Sequence, residues 1–153
     1  MRTSRTLWAG RPRACANRLG QDLCVRAAAA AAAHPSPRRL VIGLTWRRRR
    51  RAGAHARLAQ GVTAVARALG KHMHCTAHFC AGGTAMREDI ARFSAGGVQV
   101  VVGTPGRVFD VINHGALCLV ALRVLVLDAA DEMLSRGFED HIYGIFRLLP
   151  GRL

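Results

Sequence analysis

Carboxylates are scarce in this chain: nine Asp and Glu stand against 23 Lys and Arg in 153 residues, for a formal net charge of +14. The shortage is local. The first 57 residues hold 14 of the bases and one acid, Asp22, a net of +13, whereas residues 58–153 carry +1. Long apolar runs are also missing. None reaches the roughly 18 residues that cross a bilayer, and the seven alanines 27–33 are too short and too weakly apolar. A spanning helix is thereby excluded, there is no convincing cleavage-signal layout, and a soluble chain of the cytoplasm or nucleus is expected. Paired cysteine motifs are absent too. Five cysteines (Cys15, Cys24, Cys75, Cys80, Cys118) make an odd count with no Cys-x-x-Cys, which does not suggest a disulfide framework and suits a reducing compartment. His72, His74, Cys75, His78 and Cys80 are of zinc-ligand type. They straddle a helix end and a strand, where alternate side chains point to opposite faces, so convergence on a metal is not expected. Cys80 reads as a small buried apolar residue.

The basic segment is of low complexity. Its alanine run, its His34-Pro35-Ser36-Pro37 break and its five arginines Arg47–Arg51 carry no apolar periodicity and predict a tail rather than core. An arginine block is a nucleic-acid patch or a nuclear localisation signal on one reading and a solvated, disordered tail on another. Arginine-rich, acid-poor composition also fits a transit peptide, although serine is sparse.

From Leu58 onward the pattern changes. Leu58, Val62, Val65, Ala66 and Leu69 recur at helical spacing and predict a helix over 58–71 with one face on a sheet. Residues 76–80 predict a short strand, 85–93 a helix with Met86, Ile90 and Phe93 on one side, and 98–102 a buried strand. A helix over 107–113, a buried strand over 122–127 and an amphipathic helix over 138–149, through Ile142, Ile145, Phe146 and Leu149, complete the series. Strands alternating with helices predict an α/β fold with a parallel sheet and flanking helices.

In such a sheet, ligands sit at the carboxyl ends of strands. Asp128 falls at such an end, after the apolar run Val124–Leu127, in the sequence Asp128-Ala129-Ala130-Asp131. A carboxylate there can hold Mg²⁺, a hard cation that takes few protein oxygens and keeps several waters; an Asp before a helix is also an ordinary N-cap. Gly82 and Gly83 let backbone approach a ligand closely, while Thr104-Pro105-Gly106 turns the chain out of a strand and offers amides and a hydroxyl. Arg107 adds a planar fork of donors suited to a pair of phosphate oxygens. Each Gly or Pro-Gly pair is, by itself, equally a surface turn.

Taken together, in order, these segments resemble the motifs of DEAD-box RNA helicases. Leu58-Ala59-Gln60 resembles the end of the Pro-Thr-Arg-Glu-Leu-Ala motif, Gly82-Gly83-Thr84 the double-glycine motif, Thr104–Arg107 the Thr-Pro-Gly-Arg motif, and Asp128–Asp131 the Asp-Glu-Ala-Asp signature with alanine at its second position. Residues 101–110 and 132–138 look closest to the initiation-factor-four-A branch, and the resemblance covers about 58–150. It implies a partial RecA-like domain of the P-loop type over 58–153, preceded by the basic segment 1–57. It also implies ATP and Mg²⁺ as cofactors, with Asp128 and Asp131 in the nucleotide site and Asp128 reaching the metal through water. Single-stranded RNA would lie on Gly82, Gly83, Thr104, Pro105, Gly106 and Arg107, gripped by its backbone without reading bases, and translation-initiation scaffold proteins are implied as partners. In the family the glutamate of the signature orients the attacking water, so Ala129 predicts loss of hydrolysis. The family motor also needs a second RecA-like domain, so no unwinding cycle is expected from these residues alone.

The phosphate-binding loop has no counterpart in the given frame, since Asn17–Asp22 offers neither a lysine nor a suitable glycine pattern. ATP affinity is expected to be lost. That segment can be encoded by AAC CGG CTC GGG CAA GAC; one nucleotide later it gives Thr-Gly-Ser-Gly-Lys-Thr, a helicase P-loop. The same offset applied to Gly53–Arg57, through GGC GCC CAC GCG CGG, gives Ala-Pro-Thr-Arg just before Leu58. A shifted reading frame is thus a further account of the basic segment. It predicts that sequencing the transcript from the codon of Cys15 to that of Gln60 will recover both motifs; a transcript that encodes the segment as it stands rules the shift out.

Overall fold

The computed structural model describes residues 40–45, 54–71 and 74–150. The elements, in chain order, are strand β1 (Leu40–Thr45), helix α1 (Ala54–Lys71), β2 (Ala77–Cys80), α2 (Met86–Ser94), β3 (Val100–Gly103), α3 (Pro105–Asn113), a 3₁₀ turn (Leu119–Ala121), β4 (Leu122–Asp128), α4 (Ala130–Leu134) and α5 (Glu139–Arg147). The four strands form one sheet in the order β2-β3-β1-β4, and every pairing is parallel. The α/β parallel architecture is the one the alternating pattern predicted.

β1 is the addition. No element was expected before residue 58, yet Leu-Val-Ile-Gly-Leu-Thr lies at the middle of the sheet with all six residues buried. A strand covered on both faces needs a continuous apolar run rather than an alternating one, and 40–45 is such a run. The alanine run and the arginine block lie outside the described residues, as does the rest of the basic segment up to residue 39.

Helices cover both faces of the sheet. On one side, α1 packs over Val41, Ala77, Val100, Val102 and Val126. On the other, Val108, Val111 and Ile112 of α3, Met133 of α4, and Ile142 and Ile145 of α5 close over Ile42, Leu44, Val101, Leu125 and Leu127. Pro105 starts α3 at a position where the missing N–H removes no helical bond. Glu139 and Asp140 in the first turn of α5, with Arg147 in its last, match the helix dipole.

The buried face of α1 differs from the one its large apolar residues suggested. Val62 and Ala66 are buried, but they share that face with Ala59 and Thr63, while Val65 and Leu69 are 46% and 38% exposed. Small residues let the helix lie close on the sheet, and the contact stripe is turned by about one residue, roughly 100°, to present them. Thr63 tolerates burial because its hydroxyl donates to the Ala59 carbonyl at 2.6 Å. On α2 the structure buries Asp89 with Phe93, and Ile90 is only half-buried. On α5, Phe146 is turned partly to solvent.

Gly103 ends β3 against the backbone of its neighbour. A Cβ there would stand 1.9 Å from the Cys80 carbonyl oxygen, whereas nothing lies within 4 Å of one at Gly82. Gly103→Ala should therefore lower stability by about 3 kcal/mol or more and Gly82→Ala by less than about 1 kcal/mol. Urea unfolding of the two variants measures the contrast.

Candidate functional site

Because all four strands run the same way, their carboxyl ends meet along one rim: Cys80, Gly103, Thr45 and Asp128, in sheet order. This rim and the segments that leave it carry Gly82, Gly83, Thr104, Pro105, Gly106, Arg107, Asp128 and Asp131. The sheet divides them into two groups.

One group stands over β2 and β3. β2 runs into Ala81-Gly82-Gly83-Thr84, and β3 into Thr104 and α3; the two exits are tied where the Thr104 N–H donates to the Cys80 carbonyl at 3.1 Å. Gly82 and Gly83 are exposed, and Gly83 has φ +95°, a conformation that favours glycine. Thr104 precedes α3 in extended conformation and makes no side-chain cap, Pro105 is buried, and Gly106 is half-buried near His141. The first-turn amides of α3 have no intrahelical partner, and a helix start favours anions.

Arg107 points inward from α3. Its Nε donates to the Ala81 carbonyl at 3.3 Å and its Nη2 to the Thr84 carbonyl, so the guanidinium bridges the two feet of the double-glycine loop. Behind it lies Asp89 of α2, 2% exposed. Asp89 Oδ2 is 3.6 Å from Arg107 Nε, and Oδ1 is 2.8 Å from His78 Nε2. The Cys80 thiol lies 4.0 Å from the same carboxylate. Burial, and then the charge of Asp89, push that thiol well above its ordinary range, so it stays protonated. His78 also meets the Phe93 ring edge-on, with centroids 4.9 Å apart. Among the described residues no three His, Cys, Asp or Glu converge as metal ligands. His72 lies outside them.

Asp89 was not singled out from the sequence. Its signal was a carboxylate at helical spacing from Met86 and Phe93, on the face expected to be buried.

The second group stands over β4, separated from β3 by β1 and hence by two strand spacings, about 10 Å. Asp128 is half-buried at the end of β4, and Asp131 is exposed in the first turn of α4. Between them Ala129 takes φ 58°, ψ 49°, a left-handed conformation that a residue with a Cβ seldom adopts. Beside Asp128, in register on β1, is Thr45, whose hydroxyl oxygen is buried and has no hydrogen-bond partner among the described residues. Asp128 and the unpaired Thr45 oxygen are donors of the kind a hydrated Mg²⁺ takes. The phosphate half of a nucleotide site does not fit: the one lysine in the sequence, Lys71, ends α1 next to β2's amino end, across the sheet from Asp128.

The sheet order, the rim and the four ordered motifs define a helicase core domain. The model of the DEAD/DEAH box helicase family matches residues 55–152, and the chain belongs to that family. Eukaryotic initiation factor 4A of Zea mays is 54% identical over 96 residues, which are 63% of this chain and 23% of that protein. Eukaryotic initiation factor 4A-3 of Arabidopsis thaliana matches at the same identity and coverage. The chain thus spans about a quarter of the length of these relatives. Among solved structures, S. cerevisiae Dbp5 bound to RNA and ADP BeF3 superposes with a TM-score of 0.65 at 24% identity, covering 84% of this chain and 31% of that one. A hypothetical ATP-dependent RNA helicase from Sulfolobus tokodaii gives 0.68 at 23% identity, covering 86% of this chain and 36% of its own. At those identities the likeness concerns the fold. Among the described residues, no helix is long and apolar enough to cross a membrane.

Left-handed backbone costs a residue with a Cβ about 1–2 kcal/mol, and glycine gives back about 0.4–1 kcal/mol through unfolded-state entropy. Ala129→Gly should accordingly raise stability by about 0.5 kcal/mol, read as a thermal midpoint higher by about 1–2 °C.

Proposed function

We propose that this chain acts as an RNA-binding member of the DEAD-box family that does not hydrolyse ATP. The observation that carries the reading is the difference between the two ends of its rim. Over β2 and β3 the whole row Gly82, Gly83, Thr104, Pro105, Gly106 and Arg107 is assembled, with two loops held together by Arg107 and by the Thr104 amide. Over β4 the position between Asp128 and Ala130 has no carboxylate, and no lysine stands near it.

The chemistry of each end follows. Exposed loop amides and the start of α3 are donors of a kind that suits successive phosphates of a single strand, and they read no bases. Dbp5, which shares the fold, was solved with RNA and ADP BeF3 bound. The family uses ATP with Mg²⁺, which neutralises and orients the phosphates when bound. In this chain Asp128 and Asp131 would face the metal, but a carboxylate that takes up the proton of an attacking water is lacking at Ala129. Scaffold proteins of translation initiation are the protein partners that likeness to initiation factor 4A suggests.

Full-length protein mixed with single-stranded oligo(U) RNA should bind it, as read by fluorescence anisotropy, and should release no phosphate from Mg-ATP above background. Ala129→Glu alone should leave ATPase activity absent, because the lysine that would hold the β- and γ-phosphates is still lacking. Gly82→Glu, which sets a carboxylate into open space on the exposed loop, should weaken RNA binding about tenfold or more by like-charge repulsion. RNA-stimulated phosphate release by the unaltered chain would overturn the reading, and undiminished RNA binding by Gly82→Glu would move the RNA off this rim.

A further inference from the structure

We propose that Asp89 is a positioning residue that fixes Arg107 as a clamp on the double-glycine loop, so that Arg107 acts on RNA through the loop rather than by touching a phosphate itself. The inference rests on the reading of this rim as an RNA surface, and it changes what the arginine does there.

The geometry of the guanidinium carries it. The Arg107 side chain is 12% exposed, with Nε and Nη2 both spent on carbonyls of its own chain. Those carbonyls belong to Ala81 and Thr84, the residues on either side of Gly82-Gly83, so one rigid plane holds both feet of the loop. The Thr84 hydroxyl donates to the same Ala81 carbonyl at 3.0 Å and closes the loop at its base. At its tip the loop is open: among the described residues nothing lies within 4 Å of where a Cβ would stand at Gly82 or Gly83. The clamp therefore limits how far the loop amides can stray from a phosphate.

Asp89 sets the clamp. A guanidinium covered to this degree needs a counter-charge, and Asp89 Oδ2 supplies one at 3.6 Å while His78 Nε2, 2.8 Å away, holds the other oxygen. The arginine is thus drawn inward from behind by the carboxylate and tied in front to the loop. Asp89 lies 2% exposed beneath that surface, so it reaches RNA only through Arg107.

The sign of one substitution separates this from direct contact. If Arg107 gripped a phosphate, Asp89 would compete for it, and Asp89→Asn would tighten RNA binding. If Arg107 is a clamp, Asp89→Asn loosens it and weakens binding, even though a negative charge has been removed. Full-length variants are titrated with single-stranded oligo(U) RNA across a salt series, with thermal midpoints measured alongside. Asp89→Asn and Arg107→Ala should each weaken binding about five- to tenfold, the scale of one ordinary hydrogen bond. The slope of log K on log salt should not change, the double variant should bind no worse than Arg107→Ala alone, and Asp89→Glu should recover part of the loss. Arg107→Lys, which keeps the charge but not the fork, should behave like Arg107→Ala and decides the matter should Asp89→Asn fail to fold. Tighter binding by Asp89→Asn, near-normal binding by Arg107→Lys, or a slope reduced by about 0.7 in Arg107→Ala, the loss of one phosphate contact on a single strand, would overturn the clamp. RNA affinity unmoved by Arg107→Ala while Gly82→Glu still weakens binding would likewise overturn the clamp, whereas affinity unmoved by both substitutions would overturn the reading of the rim as an RNA surface.

Discussion

The parallel ladder through β1 is the constraint on which the rest of this molecule depends. β3 and β4 do not pair with each other; each pairs with Leu40–Thr45, which lies between them. Parallel pairing sends every carboxyl end to one rim, and burial on both faces requires helices above and below. Both consequences are met here by a run of six residues. Without it, β4 would have no strand to pair with among the described residues, and the two groups of the rim would not share a sheet.

That run was legible in principle and was obscured by its flanks. Leu40–Thr45 stands between the pair Arg38-Arg39 and the block Arg47–Arg51, so any window wide enough to average composition returns charge and low complexity. Its own six residues are a buried parallel strand in sequence form. The later elements had no such neighbours, and the alternation from α1 to β4, with α5 after it, could be read from periodicity alone, whereas the five-residue α4 was not expected. The face of α1 could not. Large apolar residues drew the expected stripe toward Val65 and Leu69, whereas close approach to a sheet selects small ones, Ala59 and Ala66. Periodicity reports that a helix has a face; packing decides which.

The rim shows the same division between what sequence carries and what only packing reveals. Motif residues announce themselves because a glycine pair or a Thr-Pro-Gly turn has few uses in a strand-to-helix exit. Asp89 does not, since an acid in the first turn of a helix is ordinary dipole complementation. In the fold it lies beneath the loop with His78 and Arg107 around it. Burying a carboxylate costs on the order of several kcal/mol, and a paired ion often contributes no more stability than apolar side chains of the same volume would. Its presence is better understood as fixing the orientation of a polar loop, which apolar packing cannot do.

The two ends of the rim are held by different means, so one can decay while the other persists. The β2–β3 end is tied by the Arg107 side chain, which donates to the Ala81 and Thr84 carbonyls, and by the Thr104 backbone amide, which donates to the Cys80 carbonyl. Substitution there disturbs the sheet exit itself. At the β4 end the chain turns at Ala129 by taking a left-handed conformation, and α4 follows whether or not a carboxylate sits at that residue. Since Ala129 lies half-exposed at a turn, losing a charge there leaves no cavity and no buried unpaired group, the two commonest sources of large destabilisation. A fold of this kind resists changes that would undo the loops over β2 and β3 and offers little resistance to a change of side chain at residue 129. The side chain at that turn is therefore set independently of the architecture around it.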